Sequence, residues 1–363
     1  MPVAAAPVNC YSDVARRGMK PACGMRVWSS AVVRHRLPAA AGLAMLFCVV
    51  TSTPGLAGDV NRTSSQRCGG ETFRLSQVAG GSAPYVHLSA GGQSGAFLLD
   101  YGTTSSTVSR ARFPVSAKAR DLTLGNFSLP SFRKGRFAAV DYANKAAPAG
   151  GQLGVVGTDF LSLLTADFSY RPGQADVVLS AAPCDAARLI KRGLVPISQA
   201  GFFSNKPGKR RGARPNVPVV FVRFGAVVAW GQVDTGYDDL TAPLSIDIND
   251  ALYAKLQSAG VDLRRRSDVV VSTCAGSELR PAYEIASVTV QSDKGLPIRQ
   301  FGHVTLLRKT SKACGGIAQL SEPAAQVAVS LLREIGEVVI DPKSKTVWLK
   351  PDPAARRHHD ARQ

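Results

Sequence analysis

Mainly β structure, arranged as two related barrel-like lobes with few short helices, is what this 363-residue sequence predicts. Three observations point there. A hairpin pattern occurs twice, as PYVHLSAGGQSGAFLLD (Pro84 to Asp100) and PVVFVRFGAVVAWGQVD (Pro218 to Asp234), each running Pro, strand, turn, strand, Asp. Each copy is closed later by an apolar strand, a turn and a final strand, LLTADFSYRPGQADVVLS (Leu163 to Ser180) and IGEVVIDPKSKTVWLKP (Ile335 to Pro351). Helical periodicity is scarce. Strand-like runs punctuated by turn residues and repeated within one chain read as a duplicated β unit.

Taken in order, residues 1–57 read as an N-terminal extension and export signal. Basic Arg34, His35 and Arg36 precede the apolar run LPAAAGLAMLFCVV (Leu37 to Val50), and Gly55 and Ala57 offer small residues for cleavage near Ala57. Met25 is the more usual start for such a signal. Fourteen apolar residues fall short of the ~20 that cross a bilayer. No stable membrane span is therefore expected, and the mature chain is placed in the periplasm or outside the cell. Residues 58–183 form the first lobe and 184–217 a connecting segment, with a short helix-like run, a strand at LVPISQ and a loop at KPGKRRGARP. Residues 218–351 form the second lobe and 352–363 a basic tail. The best helix candidate is LSIDINDALYAKLQSAG (Leu244 to Gly260), opening near Asp247 or Asn249 and stopped by Gly260.

Forty-four Lys and Arg against 26 Asp and Glu give a formal charge of +18, which brings a polyanionic partner into consideration. The charge is spread along the chain, however. Its densest run, Lys206 to Pro215, is rich in Gly and Pro and has no aromatic residue, whereas nucleic-acid grooves combine cations with stacking rings. It reads as a solvated loop, and no nucleic acid is expected. Cys10, Cys23 and Cys48 leave with the signal, so Cys68, Cys184, Cys274 and Cys314 remain. An even number in an exported chain points to disulfides, and the lobe boundaries favour Cys68 with Cys184 and Cys274 with Cys314. There is no Cys-x-x-Cys pair, and two of the five His lie in the tail, so neither a metal nor another cofactor is expected. No Gly-x-Ser-x-Gly elbow occurs, and His87 and His303 sit in strand-like runs without a nucleophile motif.

The chemistry lies at the ends of the hairpins, in FLLDYGTTSSTVS (Phe97 to Ser109) and WGQVDTGYDDLTAPL (Trp230 to Leu244). Each brings an apolar strand into Asp-x-Gly, and the first lobe adds LGVVGTDFL (Leu153 to Leu161). In this the chain resembles the two-lobed aspartic peptidases of pepsin and retropepsin type, in a bacterial aspartyl-protease-like form whose first motif is a divergent Asp-Tyr-Gly. The resemblance covers most of Thr72 to Pro351. It implies that Asp100 and Asp234 share a proton in the cleft between the lobes, one carboxyl activating water and the other protonating the scissile carbonyl. It gives Gly102 and Gly236 the task of letting backbone pass close behind the carboxylates. The family's Thr after each Asp, which ties the loops together, is matched by Thr235 but not by Tyr101. The hydroxyl three positions after Asp is matched by Thr103, while Tyr237 stands there in the second lobe. Val155, Val156 and Gly157 have no evident counterpart in EPAAQVAVSLL (Glu322 to Leu332), and Asp238 and Asp239 read as surface-loop acids.

The resulting expectation is an exported, monomeric aspartic-type endopeptidase acting on a peptide or protein substrate. The alternative is a non-catalytic relative that uses the cleft to bind a peptide or protein partner, with each Asp merely capping its turn. A basic protein docked on an anionic surface is a third reading. Carboxyls of Asp100 and Asp234 within hydrogen-bond reach would favour the enzyme, and Tyr101 filling the cleft would favour the binder.

Overall fold

The computed structural model describes residues 67–76, 81–90, 93–112, 122–124, 127–128, 138–140, 151–171, 173–199, 217–238, 242, 244–273, 276–313 and 316–353. The export signal, the Lys206–Pro215 run, Asp239, Cys274, Cys314 and residues 354–363 of the basic tail lie outside these residues. Mainly β structure with few short helices is what the chain forms.

The first half runs β1 (Glu71–Arg74), the hairpin β2 (Tyr85–Ala90) and β3 (Gln93–Leu99), β4 (Thr107–Ser109), β5 (Leu122–Leu124), β6 (Phe127–Ser128), β7 (Ala138–Val140), β8 (Gln152–Val156), α1 (Thr158–Leu161), β9 (Thr165–Ser169) and β10 (Asp176–Ser180). Seven of these strands make one sheet in the order β6-β5-β2-β3-β8-β4-β7. Ala96 to Leu99 are buried without alternation, because β3 sits mid-sheet with β8 parallel beside it and is covered on both faces.

The second half repeats the plan. It comprises α2 (Ala186–Lys191), β11 (Val195–Ser198), the hairpin β12 (Val219–Phe224) and β13 (Val227–Asp234), β14 (Ser245–Asn249), α3 (Asp250–Ser258), β15 (Arg264–Thr273), β16 (Gly276–Gln291), β17 (Pro297–Lys309), β18 (Ala324–Ala328), α4 (Val329–Ile335), β19 (Glu337–Asp341) and β20 (Thr346–Leu349). Its sheet order is β12-β13-β18-β14-β17-β16-β15, and β12 also pairs with β16, so six strands close into a barrel with β15 outside. The equivalence of the halves extends to single bonds, Leu99 N–H donating to Pro84 O (3.0 Å) and Val233 N–H to Pro218 O (2.8 Å).

The helix expected within Leu244–Gly260 forms as α3 from Asp250, opening at Asn249, the second of the two expected starts, while Ser245–Asn249 before it is a buried strand. Ile246 and Ile248 alternate into the barrel opposite Val327 and Ala325, which β-branched side chains favour. Asn249 then caps the helix, its side chain accepting from Leu252 N–H at 2.9 Å.

A third sheet joins the halves, in the order β1-β10-β9-β19-β20-β11. The two closing hairpins, β9–β10 and β19–β20, meet along β9–β19, with Phe168 opposite Val338. One continuous hydrophobic cluster runs from Leu88 and Phe97 of the first lobe through Phe168 and Val338 to Ile246 and Leu306 of the second. A disulfide joins Cys68 to Cys184 (Cα–Cα 5.1 Å) beside this sheet. The backbone N–H of Cys68 donates to Asp167 (3.1 Å) and that of Cys184 to Asp341 (3.2 Å). Arg192 grips Asp167 with both guanidinium nitrogens (2.7 and 3.0 Å) and reaches Glu337 at 3.1 Å, fastening the connecting segment to the sheet. Among the described residues, no helix is long and apolar enough to cross a membrane.

Candidate active site

Strands β3 and β13 each end at an aspartate in the middle of a sheet. Asp100 N–H donates to Val156 O at 2.9 Å, and Asp234 lies opposite Ala328 of the parallel β18. A strand paired on both sides holds its end firmly, so the Asp carboxyls leave a fixed backbone. They are 1% and 2% exposed. Gly102 N–H donates to Asp100 Oδ1 (2.7 Å) and Gly236 N–H to Asp234 Oδ1 (2.9 Å), each loop cradling its own carboxyl. The loops also cross. A methyl group on Gly102 would overlap the Asp234 carboxyl, and one on Gly236 would overlap that of Asp100. Glycine is required here for close approach rather than for its backbone freedom. Each carboxyl therefore lies against the backbone of the other's loop.

Thr235 carries the lock between the loops. Its hydroxyl accepts from Tyr101 N–H (2.9 Å) and donates to Leu99 O (2.7 Å), satisfying two buried backbone groups of the opposite loop. The return contact is not made by Tyr101. Its phenol is wholly buried in the continuous core, edge-on to Phe168 at 6.3 Å between ring centres. Burial, with the negative charge of Asp341 and the nearby Tyr170, pushes this phenol well above its ordinary range, so it stays neutral. Tyr237, at the matching distance after Asp234 from which Thr103 follows Asp100, is also buried and shares a hydrogen bond with Ser245 Oγ (2.9 Å). Thr103 Oγ1 donates to Ser105 O at 3.4 Å.

Two sequence expectations need correction. Asp238 is not a surface acid: it is 5% exposed, and its carboxylate accepts from the backbone N–H groups of Ser82 and Ala83 (3.1 Å for the latter), tying the second loop to the start of the first hairpin. The second lobe does have a counterpart to Val155, Val156 and Gly157. Leu98 lies opposite Val155 and Gln232 opposite Gln326, so Gln326, Val327 and Ala328 take the equivalent places. Thr158 N–H donates to Thr103 O (2.9 Å) and Val329 N–H to Tyr237 O (3.0 Å), which fixes the match.

That match exposes an asymmetry. On the first-lobe side, Tyr85, Ala96, Leu98 and Val155 make a small apolar cluster. On the second-lobe side stand Gln232, Gln326 and Lys309, all at most 3% exposed. Gln326 Nε2 donates to Asp234 Oδ2, and Lys309 Nζ donates to Gln326 Oε1 at 3.4 Å. Burial raises the Asp234 carboxyl above its ordinary range, while the hydrogen bonds from Asp100 and Gln326 and the Lys309 charge work against that rise. Where two buried carboxyls interact, their titration belongs to the pair.

The sequence reading missed Gln326 and Lys309. An apolar-apolar-Gly search passes over Gln-Val-Ala, and the long β15–β17 strands separate it widely from Asp234. Among the described residues, no group of three or more His, Cys, Asp or Glu could hold a metal. No protein-family model matches the chain, and no curated protein matches it. A retropepsin-like aspartic protease from Rickettsia conorii is similar over 43% of this chain and 89% of its own, at 16% identity and a TM-score of 0.26. At that level shared chemistry does not follow.

Proposed function

We propose that this chain is an exported aspartic-type endopeptidase in which Asp100 and Asp234 activate one water between them. The observation that carries the reading is the buried pair itself: two carboxyls on glycine loops that cross so closely that neither loop tolerates a β-carbon. In the active form the pair holds one proton. The ionised carboxyl takes a proton from water as its oxygen attacks the scissile carbonyl, while the protonated carboxyl delivers its proton to the carbonyl oxygen. Collapse of the resulting diol returns a proton to the departing amine and regenerates the pair. No covalent enzyme intermediate is needed. The direction of the Tyr101 ring, into the core against Phe168, supports the same reading. Export is supported by the N-terminal signal pattern and the Cys68–Cys184 disulfide.

The incomplete lock favours a second reading. With Thr235 matched by Tyr101 instead of a second threonine, the loops are tied by one hydroxyl only, as suits a non-catalytic cleft that binds peptide. Cleavage of an unfolded protein by the mature chain separates the two. Asp100→Asn and Asp234→Asn should each abolish cleavage, and the double variant should be no worse than either, since each disables one unit. Cleavage persisting in both folded single variants would sink the mechanism. Absence of cleavage by wild type anywhere from about pH 2 to 7, the range bracketing paired carboxylates, would favour the binding protein.

A further inference from the structure

We propose that Lys309, acting through Gln326, fixes Asp234 as the ionised member of the pair and leaves the shared proton on Asp100. The inference rests on reading the pair as catalytic, and it names which carboxyl is base and which is acid.

The argument is one of donors and acceptors. A lysine ammonium can only donate, so the Gln326 oxygen must face Lys309 Nζ, and the amide cannot flip without setting two donors against each other. Gln326 Nε2 then faces Asp234 Oδ2 and donates to it. Asp234 Oδ1 already accepts from Gly236 N–H at 2.9 Å. Both oxygens of Asp234 are thus engaged as acceptors by protein N–H groups, which works toward its charged form against the rise that burial imposes.

The surroundings isolate this relay. Lys309 and Gln326 are 0% and 3% exposed, and the turn at Gly316 lies over both, a β-carbon there falling 3.1 Å from Nζ and 3.3 Å from Oε1. The other charged groups on this side are mutually paired. Asp247 of β14, opposite Gln326, is bridged by Arg280 of β16 at 2.5 Å, and Arg280 reaches Glu278 at 3.5 Å. Tyr237, beside them on the Asp234 loop, is engaged with Ser245. From the first lobe the facing titratable group is Asp100. At the place that Gln326 takes in the second lobe, the first lobe has Val155, whose side chain has no donor. The asymmetry of the pair is therefore built into one residue of β18 and one of β17. Lys309 and Gln326 are positioning residues, since neither need touch the substrate.

Carboxyl titration by NMR on protein labelled with ¹³C at the Asp side chains tests this directly, alongside the pH profile of cleavage. A nearby cation lowers the pKa of an acid, so its removal raises it. In Lys309→Met the lower of the pair's two apparent pKa values should rise by about one unit, the small end of the range for a charge near a carboxyl. The acid limb of the cleavage profile should move up with it, cutting activity on that limb about tenfold. Gln326→Leu, which keeps Lys309 but breaks the relay, should move both in the same direction by less, and Lys309→Arg should restore the wild-type limb. A purely structural role would lower the melting temperature without moving the titration. An unchanged titration in folded Lys309→Met overturns the proposal, as does an unchanged one in Gln326→Leu should the lysine variant not fold. The titration needs no turnover. A pair that responds as expected in a protein that cleaves nothing would retire the peptidase reading and leave this assignment standing.

Discussion

Removing the Thr235 hydroxyl while keeping its shape tests the lock between the lobes. Thr235→Val replaces an oxygen that accepts from Tyr101 N–H at 2.9 Å and donates to Leu99 O at 2.7 Å, at a residue with no exposed surface. Both backbone groups would be left in the core without that partner. A buried polar group stripped of its partner costs about 1–3 kcal/mol, so the pair should cost about 2–6 kcal/mol, a large share of the 5–15 kcal/mol that is typical of a folded protein. A symmetrical lock would keep half its bonds after this change, but the Tyr101 phenol packs on Phe168 and cannot supply them. Urea denaturation gives the loss as a shift in midpoint at constant slope. Thr235→Ser keeps the hydroxyl and loses one buried methyl, so its cost should stay near 1 kcal/mol. With the carboxyls less firmly held, kcat in Thr235→Val should fall by up to about a hundredfold, as misplacements of about 1 Å do. Thr235→Val that unfolds at the wild-type midpoint would refute this account of the lock, and equal losses in Thr235→Val and Thr235→Ser would assign the effect to packing.

Tyr101→Thr, which would place a threonine after Asp100 as one stands after Asp234, is expected to destabilise by about 3–5 kcal/mol because it empties a fully buried ring site, whereas Tyr101→Phe should melt at or above the wild-type temperature; melting of the two variants decides it. Asp167 supplies an acid-sensitive anchor: burial works to raise its carboxyl, but Arg192, Arg67 and the Cys68 N–H override that and hold it below the ordinary range. Its contribution is therefore present above the unfolded-state value of about 3.9 and is lost as pH falls through the lower folded value. Asp167→Asn should cost about 3–5 kcal/mol near neutral pH and flatten the loss of stability below pH ~4, measured by denaturation as a function of pH. Cys68→Ser with Cys184→Ser opens a loop with a sequence separation of 116 and should cost about 4–5 kcal/mol by chain entropy; a non-reduced digest that links Cys68 to Cys274 instead would refute the pairing.

Much of the site was legible because its residues are local in sequence. An apolar strand running into Asp-x-Gly needs no distant information to be recognised, and repetition of the hairpin from Pro84 and from Pro218 marked two lobes. Thr235 and Tyr101 were legible in the same way, as one match and one mismatch to a three-residue motif. The sequence therefore determined, by itself, that the chain is mainly β, that it is duplicated, and which two carboxyls lie at equivalent points of the copies.

Tertiary structure alone decided where side chains separated widely in sequence come to rest. Asp238, a loop acid by local pattern, is buried because its carboxylate meets the N–H groups of Ser82 and Ala83 from the other lobe. Ser245–Asn249 became strand because Val327 and Ala325 lay ready to pair with Ile246 and Ile248, and barrel packing outweighed a weak helical preference. The ring of Tyr101 turned inward because Phe168, on the strand along which the halves pair, offered it apolar surface. Lys309 and Gln326 reach Asp234 through β17 and β18 pairings set by closure of the barrel. Local pattern fixes what a residue can do, but the charge, burial and hydrogen-bond partners that decide what it does come from chain segments brought alongside by folding.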